Sequence, residues 1–199
     1  MGVLQHLFDA IFPPQCANCR SPGSGLCSDC LPRDPPVQFR LKTLSVTAIG
    51  VYEGALRAAV LALKDGRRDA AIALARLLAA QVAIDASLVG IPTTAQRRRQ
   101  RGFDGGQLMA QRAAEIAGLS VKKALVHAAG DAQRGRDRAQ RLSARGRFAV
   151  RGEVRGKRIV MIDDVVTTGT TLEDCAATLR SAGAIVTSAI VVAYARREE

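Results

Sequence analysis

The sequence predicts an α/β fold: a mostly parallel sheet flanked by helices, with a small metal-binding module at the N-terminus. Three features predict it. From about residue 39 onward, apolar strand-like runs alternate with Ala/Leu-rich helical stretches, the pattern of strand–helix–strand units. One of these runs, RIVMIDD at 158–164, ends in two adjacent carboxylates and passes through a Thr/Gly turn into a helix. Residues 15–36, by contrast, are rich in Cys, Pro, Gly and Ser and carry little periodicity. The composition changes after Pro35 and Pro36, so a boundary is placed there, dividing 1–36 from 37–199.

The elements follow in order. Leu4, Leu7, Phe8 and Ile11 recur at helical spacing, which predicts a short amphipathic helix ended by Pro13 and Pro14. A strand is expected over 39–52, then a helix opened by Gly54 and a second helix over 69–82. SLVGIP at 87–92 reads as a buried strand. TTAQRRRQRGFDGG at 93–106 reads as a polar, basic loop, with a helix over 106–118 and a short strand over 121–127. Residues 128–151 carry seven arginines (134, 136, 138, 141, 145, 147 and 151) and read as a surface loop or ribbon. RIVMIDDV is a buried strand, a helix is expected over 170–182, and AIVTSAIVVAY is a final apolar strand.

The bulk properties narrow the classes. Of 199 residues, 48% are hydrophobic, ample for a core, but only 4% are aromatic, so small aliphatic side chains must fill it. Lys and Arg number 29 against 18 Asp and Glu, a net charge of +11 that attracts polyanions: nucleic acid, anionic lipid or a phosphorylated small molecule. The N-terminus lacks the basic region and cleavage site of a secretory signal. The most apolar stretch, 70–91, is broken by Arg76, Gln81 and Asp85, so no membrane span is expected. A cytoplasmic protein is the expectation, and in a reducing compartment five cysteines argue for metal or inert thiols over disulfides.

In IVMIDDVVTTGTT, Asp163 and Asp164 stand at a strand's carboxyl end, where ligands bind in open parallel sheets. Gly169 permits a tight turn, Thr167, Thr168, Thr170 and Thr171 offer hydroxyls, and the following helix aims free N–H groups at the loop. A phosphate in the turn and a diol on the carboxylates together describe a ribose 5-phosphate. Two plainer readings stand beside this one: a strand that merely ends in Asp before a capped helix, and the magnesium carboxylate of a nucleotide hydrolase. The second needs a G-x-x-x-x-G-K-[ST] loop, which the chain lacks.

Cys16-x-x-Cys19 and Cys27-x-x-Cys30 are two pairs of the kind that grip one tetrahedral Zn²⁺ through four thiolates. Redox-active pairs and two disulfides are the rival readings. Cys175, alone on the helix after the turn, reads as a small buried hydrophobe.

IVMIDDVVTTGTT resembles the phosphoribosyl diphosphate signature of type I phosphoribosyltransferases. The paired CxxC motifs, YEGALR at 52–57 with Leu63 and Lys64 after it, IP at 91–92 and RGFD at 101–104 make the whole chain similar to the ComF family of competence-type phosphoribosyltransferase-like proteins. The resemblance implies that Asp163 and Asp164 hold the ribose hydroxyls, and that Thr167, Thr168, Gly169, Thr170 and Thr171 cradle the 5-phosphate. It implies a pyrophosphate-handling role for the stretch holding Arg97, Arg98, Arg99 and Arg101, with Arg101 preferred because it opens RGF, and it implies Mg²⁺ accompanying phosphoribosyl diphosphate. Structural zinc on the four cysteines and a link to DNA uptake during natural transformation go with it. The chain departs from the family at Asp104 and Gly105, where Asn-Gln is usual, and in a shortened stretch at 140–148.

Two functions follow as expectations: a phosphoribosyl diphosphate-binding protein that contacts single-stranded DNA or the uptake machinery, and an active phosphoribosyltransferase acting on a nucleobase or other nitrogen acceptor. The sequence offers no general base for the second. His6 and His127 are isolated and receive no role.

Overall fold

The computed structural model describes residues 13–82, 85–128 and 147–196. The expected N-terminal helix with His6, and Arg134, Arg136, Arg138, Arg141 and Arg145, lie outside the described residues. In chain order the elements are β1 (Val37–Arg40), β2 (Ser45–Val51), α1 (Gly54–Lys64), α2 (Arg68–Ala79), β3 (Ser87–Gly90), α3 (Ala95–Arg101), α4 (Gly105–Ala117), β4 (Ser120–Val121), β5 (Leu125–His127), β6 (Phe148–Val150), β7 (Arg158–Val166), α5 (Thr170–Ser181) and β8 (Ile185–Tyr194).

Six strands form one sheet in the order β1-β2-β8-β7-β3-β4, parallel throughout except for β1, which runs antiparallel to β2. Strand alternation sends side chains to two cores. On one face Val160 and Ile162 of β7 and Ile190 and Val192 of β8 pack with α1, α2 and α4. On the other, Ile159 and Met161 of β7 and Ala189 and Val191 of β8 pack with α5 and the β5–β6 ribbon. The pairing shifts register so that Ile159 faces Val186 but Val160 faces Ser188, leaving Thr187 as an extra residue in β8. This bulge lets Val186 and Ala189, three residues apart, reach the same core.

Three expectations change. The strand at 39–52 is a hairpin: Leu41 N–H donates to Leu44 O at 2.9 Å, and the chain reverses between β1 and β2. The strand at 121–127 is two. Val121 packs toward the helical core and Leu125 toward the other, which a straight strand of period two cannot do. The chain therefore leaves β3 after Val121 and pairs again, as β5, with β6 in a separate antiparallel ribbon. The basic loop at 93–106 contains a helix, α3. Thr94 caps its start, its hydroxyl accepting from Arg97 N–H at 3.3 Å, and Gly102 (φ 77°) ends it. AQRRRQR has no apolar stripe, so periodicity gave no sign of a helix.

Candidate functional site

The carboxyl ends of β2, β3, β7 and β8 open into a cleft of about 500 Å³. Asp163 and Asp164 form one wall, with Thr167 and Thr171 beside them and Arg97 and Arg101 across from them on α3. Arg97 and Arg101 are four residues apart, so α3 turns both to the same side. Two glycines set the distance between the walls. A Cβ on Gly90, at the end of β3, would lie 2.3 Å from Gly106 O, and one on Gly106 would lie 2.3 Å from Ile91 O. Only bare backbones let α4 enter this close, and α4 begins where α3 and its arginines end. Asp104 fixes the junction: Oδ1 caps α4 by accepting from Gln107 N–H (3.1 Å), and Oδ2 accepts from Thr93 N–H (2.9 Å). The departure at 104–105 is thus a working cap.

The two acidic side chains are held by the backbone that follows them. Asp164 N–H donates to Asp163 Oδ1 at 2.9 Å, and Val165 N–H to Asp164 Oδ1 at 2.7 Å. Asp164 also faces the Lys64 ammonium, 3.7 Å from its Oδ2, at the end of α1. The Lys64 nitrogen in turn stands 5.7 Å from the Tyr52 ring centroid. Sequence reasoning quoted Tyr52 and Lys64 only as family markers; their placement in the cleft is new. Asp163 is partly accessible from the cleft, yet the protein around its carboxyl is dense. Burial first, and the Asp164 charge second, push its pKa well above the usual carboxylate range, against the lowering effect of the Asp164 N–H and of Lys64.

The turn after β7 has Gly169 in the left-handed region (φ 78°), as the residue preceding α5. Any Cβ there would meet the Leu41 side chain at 2.5 Å, so both conformation and space call for glycine. Thr168 and Thr170 hydroxyls lie 3.0 Å apart, Thr168 Oγ1 accepts from Thr170 N–H at 3.5 Å, and Gly169 at the N-cap has no side chain to offer α5. Thr168 and Thr170 are exposed, and Thr167 and Thr171 line the cleft. A helix start with glycine at its N-cap and hydroxyls around it is suited to an anion.

The β5–β6 ribbon overhangs this cleft. His127 Nε2 lies 3.1 Å from Pro92 O, tying the ribbon to the end of β3, and its ring is 4.9 Å from that of Phe148. Arg147 ties it to α5 through Asp174 at 2.6 Å. His127, to which the sequence gave no role, therefore lines the cleft. Only its spatial position reveals this; no sequence neighbour does.

A second centre lies against the start of α2. The sulfurs of Cys16, Cys19, Cys27 and Cys30 all lie within 4.8 Å of one another. Four thiolates at ~2.3 Å from one zinc would be about 3.8 Å apart, so these residues fit the ion with small adjustment. None of the cysteines is in a disulfide. Burial opposes ionisation of Cys16, but hydrogen bonds within the knuckle, from Cys19, Cys27 and Asn18, bring its thiol down to about 6. The neighbouring Cys19 sulfur, aided by burial, pushes Cys27 up to about 12. Such mutual opposition among thiolates is what a bound dication relieves. Asn18 Nδ2 donates to Cys30 Sγ at 3.3 Å, an outer contact of the kind that would orient this sulfur toward a metal. The knuckle is docked: Cys16 and Leu26 belong to the helical core, and Gly25 presses on the backbone of Asp69 and Ala70. Arg67 bridges Gln15 O and the Asp69 carboxylate. Cys175 is fully buried, and burial raises its thiol above the ordinary range.

The phosphoribosyl transferase domain model matches residues 66–199. DNA utilization protein YhgH of Salmonella typhimurium is 30% identical over 184 residues, covering 86% of this chain and 78% of that protein; YhgH of Salmonella typhi matches to the same extent. Among solved structures, the allosteric regulatory enzyme of purine biosynthesis aligns at 29% identity with a TM-score of 0.45, over 62% of this chain. The alignment spans about a quarter (26%) of that enzyme's length.

Proposed function

The chain belongs to the phosphoribosyl transferase domain family, as a member of the ComF type, and from that premise we propose that its cleft binds phosphoribosyl diphosphate in a protein serving DNA uptake. The observation that carries the reading is the convergence of Asp163 and Asp164, the Thr167–Gly169–Thr171 turn and the Arg97/Arg101 pair on one cleft. The carboxylates accept from the ribose hydroxyls, the turn and the start of α5 hold the 5-phosphate, and Arg97 and Arg101 hold the diphosphate. Mg²⁺ accompanies the ligand and supplies the remaining neutralisation of the diphosphate. Residues 1–36 act as a zinc-held module on the domain formed by 37–199. The DNA utilization relatives and the net charge of +11 support contact with single-stranded DNA in the cytoplasm.

A second reading, transfer of the ribosyl phosphate to a nitrogen acceptor, is favoured by one observation: a further hollow opens beside the cleft where an acceptor could approach. Arg97 and Arg101 would then stabilise charge developing on the departing diphosphate. The two readings separate on incubation with labelled phosphoribosyl diphosphate, Mg²⁺ and a panel of bases. Pyrophosphate release with any base establishes transfer. No release with any base, together with single-stranded DNA binding that weakens steeply with salt, establishes binding. DNA affinity no greater than that of an unrelated protein of equal charge removes the DNA part of the proposal.

A further inference from the structure

The hollow beside the cleft has about 480 Å³, within the roughly 300–1,000 Å³ of small-molecule sites. It shares Pro92, Thr93 and His127 with the first cleft, so the end of β3 and the His127 ring form a common partition. Its walls differ in chemistry from those of the cleft. Phe103, Leu108 and Leu125 give it an apolar side. Gln107 lines it too, and its Nε2 is a buried donor with no hydrogen-bond partner. Buried amide donors are normally satisfied, so this unpaired one is hydrogen-bonding capacity at the wall of the hollow, which a small rotation of the side chain would turn toward an acceptor atom. At the rim stand Arg98 and Lys123, neither with an acidic partner among the described residues. Asp104, the acidic residue of the lining, has both oxygens engaged by backbone N–H groups, so the rim attracts anions. Along α3 the arginines divide: Arg97 and Arg101 face the first cleft and Arg98 the second.

We infer that this second cleft binds a nucleoside monophosphate alongside the ligand of the first: an apolar wall for a flat base, the Gln107 amide for its edge, and Lys123 with Arg98 for its phosphate. A Gln amide offers a donor and an acceptor side by side, the pairing that a base edge presents. The phosphate requirement separates this occupant from a free nucleobase, which would leave the rim cations unmatched. The inference rests on the proposed function, since it places a second ligand against the first across His127.

AMP is the probe, measured by titration calorimetry on the full chain, with phosphoribosyl diphosphate and Mg²⁺ titrated separately. Wild-type protein is expected to bind AMP whether or not phosphoribosyl diphosphate is present. Asp163→Asn with Asp164→Asn should keep AMP affinity while losing phosphoribosyl diphosphate. Lys123→Glu should weaken AMP by about tenfold or more, and Gln107→Leu by about 3–10-fold, with phosphoribosyl diphosphate affinity kept in the Lys123 variant. Absence of AMP binding overturns the inference. So does AMP binding that the double Asp variant loses or that phosphoribosyl diphosphate displaces, because the nucleotide then occupies the first cleft. Displacement of AMP by an equal concentration of inorganic phosphate also overturns it, since the base then contributes nothing. If AMP binds through Lys123 while wild-type protein fails to bind phosphoribosyl diphosphate, the proposed function is what fails.

Discussion

Asp163 and Asp164 leave β7 toward opposite faces of the sheet, and their surroundings differ accordingly. Asp164 meets Lys64 from α1, whereas the carboxyl of Asp163 lies in dense protein near Cys175 on α5 and titrates well above the ordinary carboxylate range. The sign of the consequence follows from proton counts. Between the unfolded pKa and the raised folded one, the native state holds a proton that the unfolded chain has lost. The stability from Asp163 is therefore fully present below the unfolded value and is lost as pH rises through the folded one. Thermal midpoints of the ligand-free protein should fall with pH across that window, and Asp163→Asn should lack that part of the fall. Ligand binding runs the other way: a carboxylate that accepts from a ribose hydroxyl must be ionised, so affinity for phosphoribosyl diphosphate should rise with pH over the same window. At Gly169, Ala should cost about 1–2 kcal/mol from the left-handed backbone alone, plus the displacement of Leu41, read as a lower denaturation midpoint. These residues were legible in the sequence because the chemistry is written consecutively, DD then TTGTT. Lys64, Tyr52 and His127 were not, because each reaches the cleft from a different element.

Among the elements, α3 shows where pattern reading stops. Its caps, Thr94 and Gly102, are ordinary helix signals, but a helix with cations on every side offers no apolar face to betray it. Its neighbour α4 was legible through its apolar side chains, and the boundary at Gly105–Gly106 is set by a backbone approach that only the fold reveals. The split of 121–127 into β4 and β5 has the same origin: which core claims Val121 and which Leu125 is a tertiary fact. The gathering of Cys16, Cys19, Cys27 and Cys30 at one point was legible from their spacing, but the docking of the knuckle on α2 was not. That docking has a measurable result. Zinc binding in small modules is worth ~10–16 kcal/mol, far more than ~20 loop residues bury by packing. Removing the metal with a chelator should lower the unfolding temperature of the whole chain, because Cys16 and Leu26 leave the core that α1, α2 and α4 share. A midpoint unmoved by a chelator that strips the zinc would show the knuckle to be uncoupled.

Across the whole molecule, the fold class was legible because strand and helix alternate with distinct periods, and the parallel order follows from that alternation. The sheet then brings β2, β3, β7 and β8 to a common edge, so residues between 52 and 195 meet in one cleft. No helix among the described residues is long and apolar enough to cross a membrane. The net charge of +11 makes any nucleic-acid contact salt-dependent: each phosphate neutralised should contribute about −0.7 to the slope of log affinity against log salt for a single strand. A flat salt response would exclude a backbone contact. The central claim remains that the β7 carboxylates and the α5 turn hold one ribose phosphate, and calorimetric titration of phosphoribosyl diphosphate with Mg²⁺ into wild-type protein and into the Asp163→Asn, Asp164→Asn variant tests it most directly. With each charge-assisted bond worth roughly 1.5–3 kcal/mol, the variant should bind at least ~100-fold more weakly while its circular dichroism and zinc content stay unchanged. Equal affinity in the two proteins would contradict the account.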